Sequence, residues 1–141
     1  LEVAASCDLR LAAHGSFYGM PEVRVGLPSV IEAALLPRLI GIGRARDLVM
    51  TARIVDSDEA SRWGLLDGLV AAHELDTLVD ERVQQLLAGA PQAMRTQKTL
   101  CRAWDEQSLH EVIDTSIKAF GQSFAGNEPH TYLQQFLNRK R

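Results

Sequence analysis

Apolar positions recur along this chain in two rhythms, and the change between them falls near residue 72. In the first part the rhythm is short and interrupted. "DLRLAA" sets Leu9, Leu11 and Ala13 against Asp8, Arg10 and Ala12 before the turn residues "HGS", which predicts a strand from Asp8 to Ala13. Ahead of it, "LEVAAS" does not alternate. It reads as the end of a helix entering from upstream, because six residues cannot hold a helix alone in water. Ser29 and Glu32 have the S-x-x-E spacing of a capping box and predict a helix over "SVIEAALLPRLIG". Gly41 and Gly43 are expected to close that helix and release the next, "RARDLVMT". Asp56 and Glu59 repeat the start signal before a short helix ending at Gly64, and "LLDGLV" reads as a turn with a brief strand.

Beyond Ala71 the strand signals stop. Leu75, Leu78, Val79, Val83, Leu86 and Leu87 recur at three- and four-residue spacing and mark one face of a helix. Gln92 to Trp104 predicts a second helix, and Leu109, Val112, Ile113, Ile117, Phe120 and Phe124 mark a third. A fourth, "PHTYLQQFLNRK", starts at Pro129, a favourable first-turn residue. Residues 1–72 thus read as α/β and residues 73–141 as helical, with no Pro/Gly/Ser-rich linker between them. Helices with so much apolar face need cover, and subunit neighbours are expected to give it.

Composition narrows the classes. An apolar fraction of 46% with 23% charged residues in 141 residues is that of a packed globular chain. A net charge of −3, with basic residues scattered apart from the final "NRKR", argues against a nucleic-acid partner. The longest apolar run, "AALLP", is far short of the ~20 residues that span a bilayer. Cys7 and Cys101 belong to no cluster, which favours a reduced, cytoplasmic setting.

Most motif-like stretches are better explained structurally. "HEVID" has Asp114 where a zinc protease needs its second histidine, so no metal site is expected. "GIGRAR" follows a helix and lacks a third glycine, which makes it a helix-to-helix turn rather than a dinucleotide loop. Two carboxylates stand out. Glu22, in "GMPEVRVG", and Glu2, in "LEVAA", both lie among apolar residues that would disfavour their charge, the raw material for paired acid and base catalysis. With 18 acidic residues in the chain, ordinary half-exposed glutamates remain the alternative.

Read together, "LEVAASCDLRLAAHGSFYGMPEVRVGLPS", "LPRLIG", "GRARDLVMTARIVDSDEASRWGLLDGLV" and the closing "FLNRK" resemble, in order and spacing, the crotonase superfamily of enoyl-CoA hydratases and isomerases. The resemblance covers the whole chain. It implies the C-terminal portion of such an enzyme: the C-terminal part of a crotonase-like ββα spiral core over 1–72, then a helical trimerisation region over 73–141. By it, Glu2 and Glu22 fall on the family's two catalytic glutamates, twenty residues apart. These add water to a 2-enoyl-CoA thioester, with Glu2 preferred as base toward water and Glu22 as proton donor to the α-carbon. Double-bond-shifting relatives typically keep only the acid at the Glu22 position, so Glu2 favours hydration. Isomerisation, hydrolysis or decarboxylation of an acyl-CoA, or a non-catalytic assembly role, are the alternatives.

The resemblance also implies two backbone N–H groups for the thioester oxygen, one from a loop well upstream and one from a glycine shortly before Glu2. Losing one such donor costs about 3 kcal/mol of transition-state stabilisation, so the chain is expected to be an incomplete and, alone, inactive enzyme. Where the family commonly has Pro-Gly-x-Gly-Gly, "GLPSVIEAALL" is about one residue shorter and carries Val30, Ile31 and Glu32. That loop shapes the acyl pocket, which makes Pro28 a substrate-binding candidate. Glu32 is either a third acid or, preferably, half of the capping box. Arg139 and Lys140 are candidates for a neighbour's coenzyme A phosphates, or simply cations suited to a helix end. No separate cofactor is expected, coenzyme A being part of the substrate, and the partners implied are an acyl-CoA and further copies in a homotrimer or hexamer.

Overall fold

The computed structural model describes residues 1–138. The chain forms two compact units, Leu1–Glu81 and Arg82–Arg141. The first contains all four strands of the described residues, each of three residues and paired in twos. β1 (Leu11–Ala13) runs parallel to β4 (Gly68–Val70) with Ala12 opposite Leu69, and β2 (Phe17–Gly19) runs antiparallel to β3 (Ile54–Asp56) with Tyr18 opposite Val55. Strand pairs this small do not stand alone in water. They are held by helices α1 (Glu2–Ala5), α2 (Leu36–Ile40), α3 (Ile42–Thr51) and α4 (Ser57–Arg62) around a core of Met20, Leu36, Leu48, Val55 and Leu65, each almost wholly buried.

Local chemistry sets where these elements start and stop. The predicted strand from Asp8 is shorter than expected and begins at Leu11. The Arg10 N–H donates to Asp67 Oδ2 at 2.7 Å, and the Arg10 guanidinium donates to the Leu65 and Cys7 carbonyls, so residues before Leu11 build a corner around this arginine instead of a ladder. Gly41, at φ 83°, breaks α2 from α3, whereas Gly43 lies inside α3 and closes nothing. Asp56 caps α4 as its sequence predicts, its carboxylate accepting the Glu59 N–H at 2.7 Å. The reciprocal half of that box is missing because the Glu59 side chain binds Arg53 with both oxygens, at 2.8 and 3.1 Å.

Arg53 is the hub of a small charged cluster. Glu59 and Asp47 accept hydrogen bonds from its guanidinium, which also lies 4.9 Å from the centre of the Trp63 ring. The bonds to Glu59 first, then to Asp47, raise the guanidinium pKa above its ordinary value. Glu59 is correspondingly held below its ordinary value by the bond from Arg53.

The division between the units falls inside α5 (Leu75–Leu87), which follows the last strand. In the second unit α6 (Pro91–Glu106) packs against α7 (Leu109–Ser123), and α8 (Glu128–Asn138) completes the described chain. Pro91 opens α6 in the first-turn position that proline favours, and the Glu128 carboxylate accepts the Gln92 and Ala93 N–H groups. Ser108 and Glu111 form a full capping box at the start of α7. The helices keep large apolar side chains in solvent, Ile117, Phe120, Phe136 and Leu137 among them.

Candidate active site

The site is built on two short stretches of the first unit. Glu2 begins α1 and is half-buried. Leu1 and Ala5, four residues apart and therefore on one helical face, turn into the core and fix the stretch that carries it. α1 packs against the 3₁₀ turn Ile31–Leu35.

Glu22 is the first residue of a second 3₁₀ turn, Glu22–Val25, and is also half-buried. Met20, two residues before it, is anchored in the core at 1% exposure. The turn closes when Leu27 N–H donates to the Glu22 carbonyl at 3.1 Å and Gly26 takes the left-handed conformation at φ 80°. The chain is thereby sent back over the acid, and the Ser29 hydroxyl donates to Glu22 Oε2 at 2.8 Å.

That bond replaces the expected helix start. Ser29 caps no helix: Val30 is the N-cap of the Ile31–Leu35 turn, it makes no side-chain capping bond, and the first α-helical residue is Leu36. Ile31 sits at φ 53°, a left-handed conformation that a β-branched residue adopts only at a cost in strain. The capping-box reading of Ser29 and Glu32 is therefore corrected, and Glu32 stands half-buried in the turn that contacts α1. Val25, Leu27, Val30 and Ile31, on the segment that follows Glu22 in the chain, leave their side chains exposed.

Pro28 lies exposed on the segment joining Gly26 to Ser29. Arg139 and Lys140 fall outside the described residues. Of "GIGRAR" only Gly41 lies between α2 and α3, and the residues from Ile42 to Arg46 form the first part of α3, so the expected turn is a single residue. His110 faces Asp114 one turn along α7, 3.6 Å away on an exposed surface. Among the described residues, no three His, Cys, Asp or Glu side chains converge as a metal site would require. The sequence reading missed the Ser29–Glu22 bond, whose only signal is a serine seven residues after the acid. It also missed the Arg53 cluster, for which the spacing of Asp47, Arg53 and Glu59 at six-residue steps offers no periodic cue.

The first unit thus carries two half-buried carboxylates, Glu2 at the start of α1 and Glu22 at the start of a 3₁₀ turn, within an α/β arrangement that is followed by apolar-faced helices. No helix among the described residues is long and apolar enough to cross a membrane. The chain belongs to the enoyl-CoA hydratase/isomerase family, which it matches over residues 1–141. It is 29% identical over 141 residues to a short-chain-enoyl-CoA hydratase of Clostridium acetobutylicum and 31% identical over 141 residues to a crotonyl-CoA hydratase of Syntrophomonas wolfei, covering 99% of this chain and 54% of the relative in each case.

Among solved structures, an enoyl-CoA hydratase of Bacillus anthracis superposes with a TM-score of 0.91 at 27% identity, over 96% of this chain and 53% of that one. A putative enoyl-CoA hydratase of Thermobifida fusca, solved in complex with CoA, superposes with a TM-score of 0.83 at 33% identity, over 88% of this chain and 49% of that one. The fold is thus the α/β fold of these hydratases. The chain spans about half the length of the relatives it matches. These matches establish the family and that share, and they do not bear out the expected assignment to the C-terminal portion.

Proposed function

We propose that this chain forms part of an enoyl-CoA hydratase, a cytoplasmic lyase that adds water across the double bond of a 2-enoyl-CoA. Glu2 acts as base toward the water, and Glu22 delivers the proton to the α-carbon. The observation that carries this reading is the segment Ser29–Leu35. Its first residue binds the Glu22 carboxylate, and its 3₁₀ turn packs against the helix bearing Glu2. One short run of chain thus references both acids.

In this reading the exposed side chains of Val25, Leu27, Val30 and Ile31, with Pro28 beside them, face the acyl chain. Arg139 and Lys140 are then candidates for coenzyme A phosphates, and the donors to the thioester oxygen are sought outside residues 1–141, in keeping with the share of its relatives that the chain spans. The exposed faces of α7 and α8 support assembly into a homotrimer or hexamer.

The test is crotonyl-CoA hydration by the protein that carries this chain, followed by loss of the conjugated thioester absorbance. Glu2→Gln and Glu22→Gln should each lower kcat by about 100- to 10,000-fold, the range a positioned acid or base contributes. Unchanged turnover in both variants would refute the assignment.

A further inference from the structure

We propose that Ser29 is a positioning residue for Glu22, selecting which carboxyl oxygen faces the reactant; this rests on the hydration reading above. The sequence gives Ser29 an ordinary task, starting a helix, and the structure withdraws it. Val30 takes the N-cap position, and the Ser29 hydroxyl is directed instead to Glu22 Oε2 at 2.8 Å.

The turn between them makes this contact specific. Arg24 N–H donates to the Pro21 carbonyl at 3.0 Å, Gly26 N–H to the Val23 carbonyl at 3.3 Å, and Leu27 N–H to the Glu22 carbonyl at 3.1 Å. With the backbone of residues 21–27 closed in this way, the remaining freedom of Glu22 lies in its side chain. A glutamate has three rotatable bonds and two equivalent oxygens, so an untethered carboxyl spreads over several orientations.

A hydroxyl donor fixed to Oε2 removes that spread. It leaves Oε1 as the oxygen that carries and delivers the proton. Misorientation of a reacting group by an ångström lowers rate steeply, so the contribution belongs to kcat rather than to substrate affinity. Alanine or glycine at position 29 makes no such bond, whereas threonine keeps the donor.

The experiment is a double-mutant cycle in crotonyl-CoA hydration, using Ser29→Ala, Ser29→Thr and Glu22→Gln in the protein that carries this chain. Ser29→Ala should lower kcat about tenfold, the effect of losing one hydrogen bond to a carboxylate, with KM within about twofold. Ser29→Thr should restore turnover to within about threefold of the parent. In the Glu22→Gln background, Ser29→Ala should cost nothing further, because its effect runs through the carboxylate.

Equal losses in both backgrounds would mark a merely structural serine and overturn the proposal. So would a loss confined to KM, or a Ser29→Thr variant as slow as Ser29→Ala. If Glu22→Gln loses activity while Ser29→Ala matches the parent, the positioning role falls and the hydration reading stands. If Glu22→Gln itself is fully active, the hydration reading falls and takes this one with it.

Discussion

Two glycines in the first unit give opposite predictions for the same substitution. Around both Gly26 and Gly43 an added Cβ would meet no atom within 4 Å, so packing cannot decide the outcome. Backbone conformation decides it instead. Gly26 sits at φ 80°, where an L-residue costs about 1–2 kcal/mol, partly offset by the about 0.4–1 kcal/mol gained from a stiffer unfolded chain. Gly26→Ala should therefore lose about 1 kcal/mol. Gly43 lies inside α3, where alanine is favoured over glycine by about 0.5–1 kcal/mol, so Gly43→Ala should gain that amount. Urea unfolding followed by circular dichroism should place the midpoints on either side of the parent with an unchanged slope, separated by about 1.5–2 kcal/mol. A Gly26→Ala variant as stable as the parent, or Gly43→Ala as the least stable of the three, would refute the reasoning. Only Gly26→Ala should also slow hydration, because its turn is the one that brings Ser29 to Glu22.

Two further outcomes follow from the charged and capped positions. Ser108→Ala removes the N-cap of α7 and should cost about 1 kcal/mol of stability in the same titration, whereas Ser108→Asp should hold it, because aspartate also caps. Glu59 is held below its ordinary value of 4.5 by Arg53, and a carboxyl lowered on folding contributes stability that is present above 4.5 and lost as pH falls through the lowered value. Thermal midpoints taken downward from neutral pH should fall more steeply below pH 4.5 for the parent than for Glu59→Gln. Parallel profiles would show that Arg53 does not bind Glu59 in solution.

The parts of the fold that could be read from the residues are those governed by near neighbours. The four helices after Ala71 follow from three- and four-residue spacing, and the Asp56 cap follows from a donor three residues away. β2 and β3 were not legible: three residues hold too little alternation, and Tyr18 meets Val55 only through the packing of everything between. Ser29 shows the limit most clearly. Its local pattern favours a helix cap, but a carboxylate seven residues back competes for the same hydroxyl. Ile31 at positive φ has no sequence signal, since a β-branched residue is the last that would be assigned there. For the site, apolar flanks pointed to Glu2 and Glu22, and the family resemblance gave them roles. The bond that orients Glu22 needed the three-dimensional turn.

The two carboxylates are placed by contacts of different range, which has a consequence for the order in which they are set during folding. Glu22 is oriented by a loop of seven residues, while the helix bearing Glu2 is held by a turn about 30 residues away. Loop-closure entropy grows as the logarithm of length, so the longer closure costs about 1.3 kcal/mol more. A folding chain thus sets Glu22 within its own turn first, and the helix bearing Glu2 is placed only when the α/β core closes.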